Sequence, residues 1–514
     1  MCIAAVSTTA APTKVSPPAL LMLGYPAKGP MNAPADTTDC DRRQHGFRLA
    51  ERGGDVLRAL RLTSLLAGLI VLFSVLMVAA FCVPDAPIRR HMPTSVKALE
   101  LEGHPYHPLL GLHSLMPDNY TDALMLNQAL NPIGASPVRA AFGNYMLVQF
   151  DPGSSPVTID SPIDAIPSLR VAYEGGPGEE HSYNRYWHGY QVVLRPLLAL
   201  FDYRAIRFLN ILGVSLLFCA SVLAVRFRLG LGAALPMTSA FILTGIVGVP
   251  LSLQYMGVFT VMLIGVFWAA RSVDASGGVR YDLEVFLTLG AVTAFLDLLT
   301  VPALTILMPL AVILTARARA DLAWTASHQL GYILKIASVW AFGYVGAWVS
   351  KWAIASVALG DDVFRTAITL AARHFDGVSV SGEWLGRADA LLWNGAMLVP
   401  AFGLNQSVSL QWPVVLRVSA ILLVVLGALC WAILRHPRAE GFANGWSGLL
   451  LVSLAPYVWY VLLHEHSRIH FWFTYRLQAV TIFVLLFVAF RAIDPSYLSG
   501  LKRRFLNLLG ADTA

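Results

Sequence analysis

The chain has 514 residues, of which 56% are hydrophobic and only 13% are charged, and its mean hydropathy is +0.61. A soluble globular domain carries about 25% charged residues, so this composition excludes an ordinary soluble protein and indicates a chain largely surrounded by lipid. The net charge of +6 does not indicate nucleic-acid binding, because much of the basic excess lies beside apolar segments. The five cysteines form no CxxC pair and no cluster with histidine, so neither a disulfide framework nor a zinc site is expected.

The segment 1–58 is rich in Ala, Pro and Thr and then becomes polar, which predicts a disordered cytoplasmic tail. A transmembrane domain is predicted over 59–495, followed by a second cytoplasmic tail over 496–514. A helix that crosses a membrane needs about 20 mostly apolar residues. By this criterion about ten spans are predicted, at 60–83, 205–225, 231–249, 251–270, 283–299, 301–316, 331–358, 414–434, 446–463 and 477–490.

The basic residues at the span ends agree with one orientation. Arg58 precedes the first span and Arg61 lies at its start, Arg226 and Arg228 follow the second span, and Arg491 follows the tenth. Because basic residues favour the cytoplasmic side, both termini are expected inside, in a multi-pass protein of the bacterial inner (cytoplasmic) membrane. The fold class predicted is therefore an all-α polytopic membrane protein. Its periplasmic loops are 84–202, which is expected to carry interfacial helices, 359–413 and 464–475.

The first periplasmic loop contains two aspartates four residues apart. Pro117 and Asp118 have the pattern of a helix start, and the next residues are good helix formers, so Asp122 falls one turn on, on the same face. Such a pair of carboxylates could provide a general base or hold a cation. The alternative is that Asp118 is a helix N-cap and Asp122 a solvated acid of the first turn. The apolar run after Asp122 favours a helix on the membrane surface.

The end of the same loop mixes aromatic and cationic residues, namely Arg185, Trp187 and His188, with Arg195 one helix further on. They form either an aromatic belt that anchors the second span or the wall of a site for a sugar-like polar ring.

Two charged residues lie within or beside apolar spans. Asp297 stands in an apolar run, and a carboxylate at membrane depth normally faces the bundle interior or a water-filled cavity. Alternatively, Asp297 caps the next helix across the break at Pro302. Lys351 near the outer end of the 331–358 span either snorkels to the interface or contacts an anionic phosphate. On the same span, Gly343 and its small neighbours predict close helix contact.

The segment before the last span carries three His, one Glu and two Arg. His466 and His470 are four residues apart, so a helix places them on one face, but without a HExxH frame this spacing is weak evidence for a metal. Arg468 and Arg476, in an aromatic setting that includes Tyr475, have the character of phosphate or pyrophosphate clamps. The alternative is an anchor for anionic lipid headgroups.

Four segments carry a resemblance to a bacterial group of polytopic membrane proteins. These are 118–127 (DNYTDALMLN), 185–190 (RYWHGY), 295–302 (FLDLLTVP) and 466–476 (HSRIHFWFTYR). The long first outer loop with its acidic residues, the roughly ten spans and the basic aromatic loop together resemble the GT-C superfamily. Those proteins are integral-membrane glycosyltransferases that use polyprenyl-phosphate sugars.

The resemblance implies inverting transfer of a sugar from a polyprenyl phosphate to a cell-envelope glycan or lipid acceptor, on the periplasmic side. It implies an acidic residue of the first outer loop as general base, with Asp122 the first choice and Asp118 the second. Arg476, His470, Arg195 and Lys351 are then candidates to neutralise the lipid phosphate. No cofactor is assigned and a divalent cation is the one candidate, while membrane lipids rather than nucleic acids are the expected partners. Many members of the GT-C superfamily carry adjacent acids, whereas Asp118 and Asp122 are four residues apart.

The alternative function is a transporter or lipid flippase of envelope precursors.

Overall fold

The computed structural model describes residues 37–103, 115–149, 164–273, 281–320, 324–376, 386–398 and 442–492. The predicted span at 414–434, the tail 496–514 and much of the loop 359–413 lie outside these residues. The chain divides into two units, Met1–Ala59 and Leu60–Ala514, and the sites described below all lie within the second. Residues 37 to 58, expected as part of a disordered tail, belong in the structure to the first helix, Thr37–Phe81.

The described residues are mostly helical. The α-helices are α1 (Thr37–Phe81), α2 (Asp85–Glu102), α3 (Asn119–Ala129), α4 (Pro137–Gly143), α5 (Ala165–Glu174), α6 (Gln191–Leu200), α7 (Tyr203–Leu229), α8 (Leu231–Leu243), α9 (Leu253–Ser272), α10 (Asp282–Leu296), α11 (Leu304–Ala320), α12 (Ala326–Leu359), α13 (Val363–Asp376), α14 (Arg387–Ala396), α15 (Phe442–Leu462), α16 (His464–Ile469), α17 (Phe471–Thr474) and α18 (Ala479–Ala492). Two short strands, β1 (Tyr145–Val148) and β2 (Glu179–Ser182), pair antiparallel with Tyr145 opposite Ser182.

Within the described residues, five helical stretches are long and apolar enough to cross a membrane, which confirms the predicted all-α membrane class. They are Asp55–Phe81, Tyr203–Leu229, Leu253–Ser272, Ala326–Leu359 and Phe471–Arg491. Each matches a span predicted from hydropathy.

The four other predicted spans that fall in the described residues correspond to shorter helical stretches. The 231–249 span is divided into α8 and a 3-10 helix, Ile246–Leu251, and Gly245 between them has a positive φ of 69°. The spans 283–299 and 301–316 become α10 and α11, separated by an irregular turn that contains Pro302. The 446–463 span corresponds to α15. The ten-span count is therefore not established by helix length alone.

Helices α10 and α12 pack closely because each presents a glycine to the other. A Cβ on Gly343 would lie 2.2 Å from the Leu287 carbonyl oxygen, and one on Gly290 would lie 2.1 Å from the Trp340 carbonyl oxygen. Real Cβ atoms do not approach backbone oxygen so closely, so the backbones meet where side chains are absent. The small-residue face predicted on this span is confirmed at Gly343.

In the described part of the first long loop, α2, α3, α5 and α6 pack with β1 around an apolar core that contains Ile88, Leu126 and Leu169, whereas the buried residues of α4 belong to the main core and α4 packs against α12. Nine of the 11 residues of α3 are buried, including both polar and apolar positions. The apolar run had suggested that α3 lies on the membrane surface. The structure instead encloses this helix within the protein. It is enclosed because α2, α5, α6 and β1 pack around it.

Candidate functional site

Asp118 begins α3 as its N-cap, which is the alternative that the sequence pattern left open for it. Its Oδ1 accepts a hydrogen bond from the Thr121 backbone N–H at 2.9 Å, and its Oδ2 accepts one from the Thr121 hydroxyl at 3.0 Å. Its own N–H donates to the Ser252 hydroxyl at 2.6 Å, which joins the start of α3 to the start of α9. These bonds hold the carboxyl in one orientation, because N-caps satisfy backbone N–H groups that the helix leaves open.

A polar cavity of about 200 Å³ opens beside Asp118 and is lined mainly by polar and aromatic side chains. We call it the polar cavity. The residues that line it are Asp118, Tyr120, Thr121, Leu124, Met125, Gln128, Tyr183, Arg185, Tyr186, Tyr190, Gln254, Leu298, Leu299, His466, His470, Trp472 and Phe473. They come from α3, the loop before α6, the start of α9, the turn before α11 and the segment before the last span. Distant parts of the chain therefore meet in one place.

Burial raises the pKa of the Asp118 carboxyl from 3.8 to about 7. Removal from water is the largest cause, since it disfavours the charged form. The hydrogen bonds from Thr121 act in the opposite direction, and the nearby Asp122 carboxyl raises the pKa further. A carboxyl that titrates near neutral pH at the edge of a cavity can accept or donate a proton there.

Asp122 lies one turn further along α3 and does not line the polar cavity. Its Oδ2 accepts from the Tyr203 hydroxyl at 2.5 Å and from the Leu253 N–H at 3.0 Å, and its Oδ1 accepts from the Gln254 N–H at 3.1 Å. The pKa of this carboxyl is raised to about 6, chiefly by burial, which these bonds partly offset. Asp122 thus satisfies the open N–H groups at the start of α9, a spanning helix.

Three of the predicted binding residues line the polar cavity together with Asp118. The Arg185 guanidinium lies over the Tyr183 ring, 4.3 Å from its centroid. The rings of His466 and His470 are 4.8 Å apart, and His470 stacks on Phe473 at 5.0 Å. The prediction that the two histidines share one face is confirmed. The cavity therefore has a carboxyl, a guanidinium and two imidazoles in its wall.

Two predicted residues beside Arg185 hold the loop rather than face the cavity. The Trp187 indole N–H donates to the Ala347 carbonyl at 2.7 Å and so ties the loop to α12. His188 is buried, with a positive φ of 56°, and its ring nitrogens lie 2.8 Å from the Tyr190 hydroxyl and 2.7 Å from the Tyr183 carbonyl. Burial lowers the pKa of His188 well below its usual value of 6.5, so its ring is neutral at pH 7.

Arg195 and Lys351, both predicted to contact phosphate, are buried and bonded to backbone carbonyls. The Arg195 guanidinium donates to the Ala80, Val83 and Ala129 carbonyls and to the Asp85 carboxylate. The Lys351 ammonium donates to the Phe142 carbonyl at 2.9 Å. Lys351 is fully buried, so it does not snorkel to an interface, and neither residue lines the polar cavity.

Asp297, also predicted to bind substrate, ends α10 and accepts from the Thr300 N–H with both carboxylate oxygens at 3.0 Å. It therefore stabilises the turn before α11, close to the capping role considered as the alternative. Leu298 and Leu299 of the same turn do line the polar cavity, although Asp297 itself does not.

Arg468, Tyr475 and Arg476 lie outside the lining of the polar cavity. The Arg468 guanidinium is 5.8 Å from the centroid of the Trp393 ring. Arg476 is buried, donates to the Trp472 carbonyl at 3.0 Å and lies over the Tyr255 ring at 4.8 Å. Tyr475 is fully buried beside it. Of this segment, His466, His470, Trp472 and Phe473 reach the cavity.

Several lining residues were not singled out from the sequence. Gln128 accepts from the Tyr190 hydroxyl at 2.5 Å, and Gln254 lines the cavity from the first turn of α9. The Oε1 atom of Gln254 is buried and has no hydrogen-bond partner among the described residues. A glutamine at the start of an apolar span is unusual in lipid surroundings, and that signal could have identified Gln254.

A second cavity, of about 290 Å³, adjoins the first and is almost wholly apolar. We call it the apolar cavity. The residues that line it are Met125, Tyr190, Val193, Leu194, Leu197, Ile206, Leu209, Asn210, Gly213, Val214, Leu217, Leu253, Met256 and Thr260. Met125 and Tyr190 line both cavities, so they form a shared wall. Polar and hydrocarbon surroundings therefore lie side by side.

Within the described residues, no three or more side chains of His, Cys, Asp or Glu are grouped so that they could hold a metal ion. Comparisons with known proteins identified no relative: no protein-family model, curated protein or solved structure matches the chain.

Proposed function

We propose that the protein is a membrane glycosyltransferase with its reacting groups in the polar cavity. It transfers a sugar from a polyprenyl-phosphate donor to a cell-envelope glycan or lipid acceptor on the periplasmic side. The observation that carries this proposal is a buried carboxyl with a pKa of about 7, Asp118, in a cavity that also holds two imidazoles and a guanidinium. The neighbouring apolar cavity suits a substrate that has both a polar head and a hydrocarbon chain.

Asp118 is the general base in this proposal, and Asp122 supports it. A base works best when its pKa lies near the operating pH and it can reach the proton it removes. Both carboxyls accept hydrogen bonds, but Asp118 bonds to Thr121 of its own helix turn and lines the cavity, whereas Asp122 bonds to Tyr203, Leu253 and Gln254 and does not line it. The order of preference between the two acids is therefore the reverse of that based on the resemblance.

The reaction is an inverting displacement at the anomeric carbon of the sugar. The acceptor hydroxyl oxygen forms a bond to that carbon and gives its proton to Asp118, while the bond from the carbon to the phosphate oxygen breaks. The phosphate leaves with the electron pair, and Arg185, His466 and His470 are the groups placed to stabilise its charge. Tyr120, Tyr186 and Trp472 offer aromatic faces to the C–H surfaces of a sugar ring.

The proposal includes an inner-membrane location, about ten spans and both termini in the cytoplasm. It is supported by the five long apolar helices and by the basic residues at the ends of several of them, such as Arg226 and Arg228 at the end of α7. In this orientation the loop with α2 to α6 and the segment before the last span lie on the same, periplasmic side. Both segments line the polar cavity, so they must lie on one side of the membrane.

The decisive experiment is a transfer assay on purified full-length protein with a panel of radiolabelled polyprenyl-phosphate hexoses and pentoses. Asp118→Asn is expected to lower kcat by about 10²–10⁴-fold, the usual contribution of general base catalysis. Asp297→Asn is the matched control, because Asp297 is a buried aspartate that accepts hydrogen bonds outside the cavity lining. It is expected to keep most of the activity.

Full transfer by Asp118→Asn would refute the assignment of the base. If instead the wild-type protein in liposomes moves a lipid-linked precursor across the bilayer and transfers no sugar from any donor of the panel, it is a transporter or flippase and the transferase proposal fails.

A further inference from the structure

Leu299, in the turn between α10 and α11, has a left-handed backbone conformation with a φ of 66°. A Cβ atom crowds the backbone in this conformation, so glycine and asparagine adopt it most easily. The chain follows this rule at most other places. Among the described residues, six glycines have a positive φ, and two of the five other residues with a positive φ are asparagines. Leu299 is the one aliphatic residue of these five.

The turn itself requires this conformation, and the leucine side chain does not. Asp297 ends α10 and accepts the Thr300 N–H with both carboxylate oxygens at 3.0 Å, which closes the turn around residue 299. Glycine or asparagine at position 299 would meet the same need at a lower cost in free energy. Backbone strain of this kind is concentrated at functional sites, where the strained side chain serves the site.

Packing in the protein core does not explain the leucine. Leu298, the preceding residue, packs against the apolar core of the first long loop. Leu299 belongs to neither apolar core within the described residues and does not pack against either of them. It is partly exposed and lines the polar cavity, whose wall also contains Asp118 and Arg185. The side chain therefore presents an apolar surface to whatever occupies that cavity.

We propose that Leu299 determines specificity in the polar cavity by packing against a carbon of the transferred sugar that carries hydrogen in place of a hydroxyl. A hydroxyl at that carbon would lose its hydrogen bonds to water and gain none from the leucine side chain, which disfavours such a donor. The identification of the ligand as a sugar rests on the proposed function. The contact of Leu299 with a ligand, in place of a role in the fold, does not.

The first experiment measures kcat/KM of purified full-length protein for pairs of polyprenyl-phosphate sugars that differ only by hydrogen or hydroxyl at one carbon. At one carbon, the wild type is expected to prefer the donor with hydrogen roughly tenfold. Leu299→Asn replaces the side chain by an amide of similar size, which can bond to a hydroxyl and tolerates a positive φ. It should abolish this preference and leave the ratios at the other carbons unchanged.

The second experiment compares the thermal unfolding of two variants without substrate. Leu298→Asn is the matched control for Leu299→Asn, because Leu298 lines the same cavity from the same turn but packs against the loop core. Leu298→Asn should lower the unfolding midpoint, since it removes a packed apolar side chain. Leu299→Asn should not lower it, because asparagine relieves the backbone strain. Equal losses in the two variants would show that Leu299 serves the fold and would overturn the proposal.

The transfer results also separate this proposal from the proposed function. If the wild type transfers a sugar but shows no preference at any carbon, or if Leu299→Asn keeps the preference, Leu299 does not determine specificity and the proposed function is unaffected. Absence of transfer from every donor instead refutes the proposed function and the sugar specificity with it.

Discussion

At Asp118, burial and hydrogen bonding act on the carboxyl in opposite directions. Burial raises its pKa, and the two bonds from Thr121 lower it, with a result of about 7. One turn away, Asp122 has a pKa of about 6 and accepts three hydrogen bonds, two of them from the first turn of α9. The same residue type therefore has two different roles, one facing a cavity and one holding a helix.

The pH dependence of transfer should report the Asp118 carboxyl. As a base it must be deprotonated, so kcat/KM is expected to rise with pH through an apparent pKa of about 7. In Asp122→Asn the neighbouring negative charge is removed, which lowers the pKa of Asp118, so this limb should move to lower pH. The measurement is a pH profile of initial transfer rates for both proteins.

Stability should change in the opposite sense over the same range. Because the pKa of Asp118 is above its unfolded value of 3.8, its contribution to the free energy of unfolding is complete below about 3.8 and is lost as pH rises through 7.

Two results of the transfer measurement would contradict these assignments. A rising limb of the pH profile that stays in place in Asp122→Asn would contradict the coupling of the two carboxyls. A pH profile of transfer without a limb near 7 would contradict Asp118 as the base.

At the scale of elements, the contact between α10 and α12 depends on glycine. In α12, a Cβ on Gly343 would lie 2.2 Å from the Leu287 carbonyl oxygen, whereas one on Gly331 meets no described atom within 4 Å. The α10–α12 pair is connected to the polar cavity at two points. The turn after α10 contains the lining residues Leu298 and Leu299, and Trp348 of α12 contacts the ring of the lining residue Tyr186. We therefore expect the spacing of the two helices to affect the polar cavity.

Gly343→Ala and Gly331→Ala are the same change on the same helix and should have opposite effects. Gly331→Ala is expected to be neutral or to stabilise by up to about 1 kcal/mol, because alanine favours a helix. Gly343→Ala should destabilise by about 1–3 kcal/mol, since the backbones must move apart. Thermal unfolding of the purified variants in detergent measures both. Equal midpoints would show that the close approach does not determine the packing.

At the scale of the whole molecule, the orientation in the membrane decides which compartment the polar cavity faces. Glu180 lies on β2 in the first long loop, and Leu231 follows the basic end of α7, and both are exposed. In a background without the five native cysteines, Glu180→Cys should react with a membrane-impermeant maleimide added outside spheroplasts, and Leu231→Cys should react only after the membrane is opened. The reverse pattern would place the polar cavity on the cytoplasmic side and contradict the proposed orientation.

The site was partly predictable, and the successes and failures have different physical origins. The N-cap at Asp118 and the shared face of His466 and His470 depend on residues within one turn, so the local pattern was sufficient. Arg195 was expected to contact phosphate, but it is bonded to the carbonyls of Ala80, Val83 and Ala129. Backbone carbonyls occur at every position and leave no mark in the sequence, so these partners could not be foreseen.

The sequence by itself determined the membrane class, the place of the long apolar helices and the start of α3, because hydropathy and capping are properties of neighbouring residues. Only the tertiary structure decided that Asp118 faces a cavity and Asp122 does not. That choice depends on the first turn of α9, where Leu253 lies 131 residues beyond Asp122. The packing of distant segments determines which carboxyl is covered by N–H donors and which remains at a cavity wall, and no local pattern encodes it.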